Sequence, residues 1–69
     1  MKPDIGTNIR RLRTERHMTQ GQLATALCVT VQAVSKWEKG HSYPDLLLLL
    51  PIAEYFSVSL DELFGRKNA

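Results

Sequence analysis

The residues of this chain best suited to chemistry are Gln32, Lys36 and Lys39, with Val31 and Ser35 beside them. A glutamine amide donates and accepts at once, which matches the N6 and N7 edge that adenine shows in the DNA major groove. An ammonium one turn later, at Lys36, reaches either guanine O6/N7 or an adjacent phosphate. Val31 has the shape to touch a thymine methyl, or else it packs or stays exposed. Ser35 is a short-reach polar group on the flank. Lys39 and the residues after it, His41, Ser42 and Tyr43, are placed to run beside a phosphate backbone. On one helix these residues make a polar, cationic face that fits duplex DNA; a merely solvated face is the plain alternative.

Other chemistries find little support. His17 and His41 have no second ligand at useful spacing, so no metal site is expected. Cys28 is the only cysteine and has no positioned base, which reads as an inert thiol. Asp61 and Glu62 are adjacent carboxylates at a helix start, where they complement the helix dipole. Trp37 falls at a core phase rather than a stacking one. No catalytic pair, cofactor site or small-molecule site is evident, so the chain reads as a non-enzyme.

The elements that must position the cationic face follow from capping and periodicity. Thr30 caps a helix over about 30–39, and Val29 can staple to Val34. At about 100° per residue, Val34, Trp37 and Glu38 share one side, while Gln32, Lys36 and Lys39 share the other. Gly40 ends the helix with positive φ. Before it, Thr19-x-x-Gln22 is a capping box for a helix over 20–27, with Leu23, Ala24 and Leu27 inward. Cys28-Val29 is the turn. A first helix runs from Ile5 to about Arg16, capped by Asp4, with Ile5, Ile9 and Leu12 as its stripe. Arg13 leans to the buried side, Gly6 weakens the first turn, and His17 ends the helix. Arg10 and Arg11 point away from the stripe, toward phosphate or solvent.

A fourth helix is expected over 45–56, capped by Asp45 or Ser42. Leu49, Ile52, Ala53 and Phe56 form its stripe, with Leu46 close to it and Leu47 and Glu54 outward. Pro51 predicts a kink, or a short turn and a restart near Leu50. Ser59-x-x-Glu62 is a second box, and Val58 can staple to Leu63 in a short fifth helix. Residues 66–69 read as a frayed tail.

Composition sets the frame. Sixty-nine residues with 43% apolar content suit one small domain over 1–69 rather than a disordered chain. Seven basic residues against three acids lie up to Tyr43, and two against four from Pro44 onward. A basic half and an acidic half fit a molecule with one polyanion-facing side. A lone cysteine suits a reducing cytoplasm. Met1-Lys2-Pro3-Asp4 has no apolar h-region, so no signal peptide is expected. The leucine run 46–50 is too short to span a bilayer, and no membrane partner is expected.

Several segments together resemble the Cro/lambda-repressor-like (XRE) helix-turn-helix regulators: I-R-R-L-R at 9–13, T-Q-G-Q-L-A at 19–24, V-T-V-Q-A-V-S-K-W-E-K-G at 29–40, P-D at 44–45, I-A at 52–53 and V-S-L-D-E-L at 58–63. The resemblance implies an all-α, compact five-helix bundle with the helix-turn-helix at 19–40. Its third helix enters the major groove, usually in a homodimer on an inverted repeat. It implies Gln32 as the main base-reading position, which joins Lys36, Val31 and Ser35 as base-reading candidates. It implies Gln20 as a phosphate contact, which joins the phosphate candidates Thr19, Thr30, Lys39, His41, Ser42 and Tyr43. Arg13 and Glu38 match an ion pair that ties helix one to helix three. The family's dimer contact lies in the C-terminal region, which points to Leu47, Leu50, Leu60 and Phe64. Cys28 departs from the Gly or Asn common at that turn, where φ tends to be positive. The implied function is sequence-specific DNA binding by a transcriptional regulator, a repressor in a bacterium or phage. The competing expectation is an antitoxin or anti-repressor that works mainly through protein contacts.

Overall fold

Four of the helices in this chain end in a single residue with positive φ, and those four residues set its turns. The computed structural model describes residues 4–65, which form α1 (Ile5–Glu15), α2 (Gln20–Leu27), α3 (Val31–Lys39), α4 (Leu46–Phe56) and α5 (Leu60–Leu63), with no strand among them. The left-handed positions after α1 to α4 are His17, Cys28, Gly40 and Ser57, at φ of 57°, 59°, 76° and 58°, and Gly65 follows α5 at 83°. After each of the first four, a backbone N–H folds back onto the preceding helix: Met18 to Arg13 O, Val29 to Ala24 O, His41 to Lys36 O and Val58 to Ala53 O. These bonds satisfy carbonyls that the helix end leaves open. Of these four, only Gly40 takes the conformation freely. His17, Cys28 and Ser57 each carry a Cβ into it, at a cost of about 1 kcal/mol.

The helix starts are set locally. Thr19 Oγ1 accepts from Gln22 N–H at 3.0 Å and Gln22 Oε1 accepts from Thr19 N–H at 2.8 Å, so the box is complete. Ser59 and Glu62 repeat it. Thr30 Oγ1 accepts from Ala33 N–H at 3.1 Å. Of the two candidates for α4, Asp45 makes the cap, its Oδ1 accepting from Leu47 N–H at 3.0 Å. Asp4 does not cap α1. Its φ and ψ of −96° and 40° keep its carboxylate from the first-turn N–H groups, and its own N–H donates to Phe64 O at 3.2 Å. The chain entry is tied to α5 instead.

The core gathers Ile5, Ile9 and Leu12 of α1, Leu23 and Ala24 of α2, Val34 and Trp37 of α3, Ile52, Ala53 and Phe56 of α4, and Leu63 of α5. The bundle has a Cα radius of gyration of 11.0 Å. Gly6 is a close-approach position rather than a weak point, because a Cβ there would overlap the Trp37 carbonyl. That lets α1 pack directly on the backbone of α3.

Helix α4 departs from expectation. It runs as one continuous helix through Pro51, so the restart near Leu50 does not occur. Leu47 and Pro51 are both exposed, so the carbonyl that proline leaves without a donor lies on the water side. Leu49 is only half-buried, and Leu46, expected near the core stripe, is 78% exposed. The expected frayed tail, 66–69, lies outside the described residues.

Candidate nucleic-acid interface

The cationic face begins with what holds its opposite side. Val34 and Trp37 sink into the core and fix the rotation of α3 about its axis. Beside them Glu38 receives Arg13 through two bonds, Nε to Oε2 at 2.7 Å and Nη2 to Oε1 at 3.0 Å. Both side chains are largely shielded from solvent. Such a forked, charge-assisted contact fixes geometry as well as energy. Arg13 Nη1 also donates to Met18 O at 2.7 Å, just ahead of the α2 cap. Gln20 Nε2 donates to Glu38 Oε1 at 3.0 Å. One carboxylate thus collects α1, the α1–α2 turn, the start of α2 and the end of α3.

The electrostatics follow. Burial pushes the Glu38 carboxyl up, but the hydrogen bonds from Arg13 and Gln20, with the charges of Arg13 and Arg10, hold it below its ordinary value. The bond to Glu38 raises the Arg13 guanidinium, against a smaller opposing effect of burial. The pair is charged at neutral pH, and no buried side-chain polar atom among the described residues lacks a partner.

With that side fixed, Gln32, Lys36 and Lys39 are exposed on the other, Val31 is 41% exposed, and Ser35 is half-buried. Thr19 and Thr30 are exposed at their caps. His41 and Tyr43 are exposed in the loop after α3, and Ser42 is half-buried. Gln20 is half-buried because its side chain turns toward Glu38. Arg11 pairs with Glu15 at 3.4 Å, an exposed contact of little energetic weight. In α4, Leu47 is 83% exposed. Leu50 and Leu60 are exposed as well, while Phe64 is half-buried against the core.

Three supporting residues carry no local signal in the sequence. Arg16 donates to Tyr55 O at 3.1 Å and Phe56 O at 2.7 Å, and its guanidinium lies 5.1 Å from the Phe56 ring centroid. Asn8 Nδ2 donates to Leu63 O at 3.1 Å. Gly6 admits the Trp37 carbonyl. Each acts across a separation that periodicity and capping rules do not span.

A cap–helix–turn–helix unit, braced from behind by α1 and closed by two C-terminal helices, defines the class of helix-turn-helix proteins. Residues 9–63 match the family described as HTH_3: Helix-turn-helix. The chain belongs to that family, the Cro/lambda-repressor-like group of DNA-binding transcriptional regulators. It is 43% identical over 62 residues to the HTH-type transcriptional activator BcrR of Enterococcus faecalis, matching over 90% of this chain and 30% of that protein. It is 34% identical over 59 residues to the cryptic phage CTXphi transcriptional repressor RstR of Vibrio cholerae, over 81% of this chain and 53% of RstR. The chain therefore spans about a third and about half of these two regulators. Among solved structures it resembles the P22 c2 repressor in complex with synthetic operator 9T. The TM-score is 0.84 at 27% identity, covering 91% of this chain and 96% of that one.

Proposed function

We propose that residues 1–69 act as one DNA-binding domain that reads a specific double-stranded site through the major groove and represses transcription. The observation that carries this is the two-sided α3. Its inner side is locked by Val34, Trp37 and the Arg13–Glu38 brace, and its outer side offers Gln32 and Lys36 to solvent. A locked inner side is what base readout needs, because a bidentate amide–adenine contact tolerates little rotation. Val31 and Ser35 flank the reading pair. Thr19, Thr30, Lys39, His41, Ser42, Tyr43 and the backbone N–H of Gln20 position the domain on phosphates. The likeness to a repressor bound to its operator supports the same reading. Repression needs only occupancy of a promoter, and the domain acts without catalysis, in the cytoplasm.

Two copies, meeting through Leu47, Leu50, Leu60 and Phe64, would place their α3 helices on an inverted repeat with half-sites roughly 34 Å apart. Selecting bound duplexes from a random pool tests the whole reading. The expected result is a palindromic site whose affinity falls steeply with salt. Recovery of no consensus, or binding that ignores salt, overturns it. Gln32→Ala should relax one position per half-site, whereas Lys39→Ala should weaken all sites alike and lower the salt slope by about one. The exposure of Leu46 and Leu47 favours a second reading, a module acting through protein contacts. A pure dimer that still presents that apolar surface and selects no DNA site would establish it.

A further inference from the structure

Helices α2 and α3 are joined at one end by the turn over 28–30. Gln20 is the first residue of α2 and Glu38 the last but one of α3, so both stand at the ends far from that turn. The Gln20 amide bridges them with its 3.0 Å bond to Glu38. Among the described residues this is the side-chain hydrogen bond that runs directly from α2 to α3. Two rods joined at one end can splay about the joint, and a link across the open end removes that freedom. The acceptor cannot follow a swing, because Arg13 holds both of its oxygens from α1. The joint turns at Cys28, whose φ of 59° closes α2.

From this closed frame we infer that Gln20 is a specificity-determining positioning residue: through Glu38, its side chain sets the angle at which α3 presents Gln32 and Lys36. The inference rests on the DNA-reading function proposed above. It divides the residue's work in two. The backbone N–H at the start of α2 faces phosphate, as any residue's would there, while the side chain acts inward on α3. The consequence for binding is selective. Base readout depends on the angle of α3, whereas attraction to phosphates depends on charge and tolerates small rotations.

Gln20→Met keeps the length of the side chain and removes its donors, and Gln20→Ala repeats the test with the side chain truncated. Affinity is measured by fluorescence anisotropy for the duplex recovered from the random pool and for a scrambled duplex of equal length. Melting curves establish that both variants are folded at the assay temperature. The selected duplex should bind about five- to tenfold more weakly, in the range of one ordinary net hydrogen bond, with scrambled DNA unchanged. The specificity ratio then falls by the same factor. The salt slope should stay constant, because a neutral side chain releases no counterion. Equal weakening on both duplexes would make the side chain a phosphate ligand and overturn the inference. A wild type that does not discriminate overturns the underlying function, whereas a discriminating wild type with an unmoved ratio in both variants overturns this inference alone.

Discussion

The helix-turn-helix region and the leucine-rich α4 region solve opposite problems. Around α3, polar groups from α1 and α2 converge on one α3 carboxylate, and the apolar residues Val34 and Trp37 are fully committed to the core. In α4, the run of leucines from 46 to 50 contributes no fully buried side chain, and three of the five are exposed. There the attachment to α1 uses backbone oxygens: Arg16 takes the last carbonyls of α4 and Asn8 takes one from α5. The first region holds an angle. The second holds a place while leaving a surface open. A side chain that reads bases needs orientation fixed to a fraction of an ångström, and a network of directed, charge-assisted bonds supplies that better than apolar contact, which is non-directional.

Perturbations of the two regions should therefore differ in size. Glu38→Gln should have the largest effect, costing about 3 kcal/mol in urea denaturation, because it leaves the shielded Arg13 guanidinium without its counter-charge. A variant as stable as wild type would remove the brace from the account. Gly6→Ala comes next, at about 2 kcal/mol, since the new Cβ meets backbone that cannot yield cheaply. Arg16→Ala should cost about 1 kcal/mol through the lost cap and ring contact at α4, seen as a small drop in Tm. Leu47→Ser should change monomer stability by less than about 0.5 kcal/mol, because the side chain is already in water. If Leu47→Ser proved as costly as Gly6→Ala in dilute protein, the contrast between the regions would fail.

Acid offers a further probe of the brace. The folded Glu38 carboxyl titrates below its ordinary value of 4.5. Its contribution to stability is thus fully present above that pH and is lost as pH falls through the lower folded value. Wild type should lose stability on acidification below about pH 4.5, and Glu38→Gln should lose less over the same interval. Denaturation midpoints followed from pH 6 to pH 3 would expose the difference, and parallel curves would contradict it.

Much of the molecule is legible one segment at a time. The boxes at Thr19–Gln22 and Ser59–Glu62, the cap at Thr30, the positive φ at Gly40, and the division of α3 into an inner and an outer side all rest on contacts within a few residues. Those interactions are properties of the local chain, so composition and spacing suffice to place them. The same rules failed at Asp4, where the preference for a cap yielded to a backbone bond with Phe64. They failed again at the restart expected near Leu50, because whether a helix continues through a proline depends on which side faces water.

Sequence alone thus determined the helices, the caps at Thr19, Thr30 and Ser59, and the face of α3 that carries Gln32, Lys36 and Lys39. Only the tertiary structure decided how those helices lean on one another. The close approach at Gly6, the reach of Arg16 and Asn8 to helix ends, the exposure of Leu46 and the turn of Gln20 onto Glu38 all join residues far apart in the chain. Such contacts form only when separate elements are packed together, and no local preference encodes the distance between them.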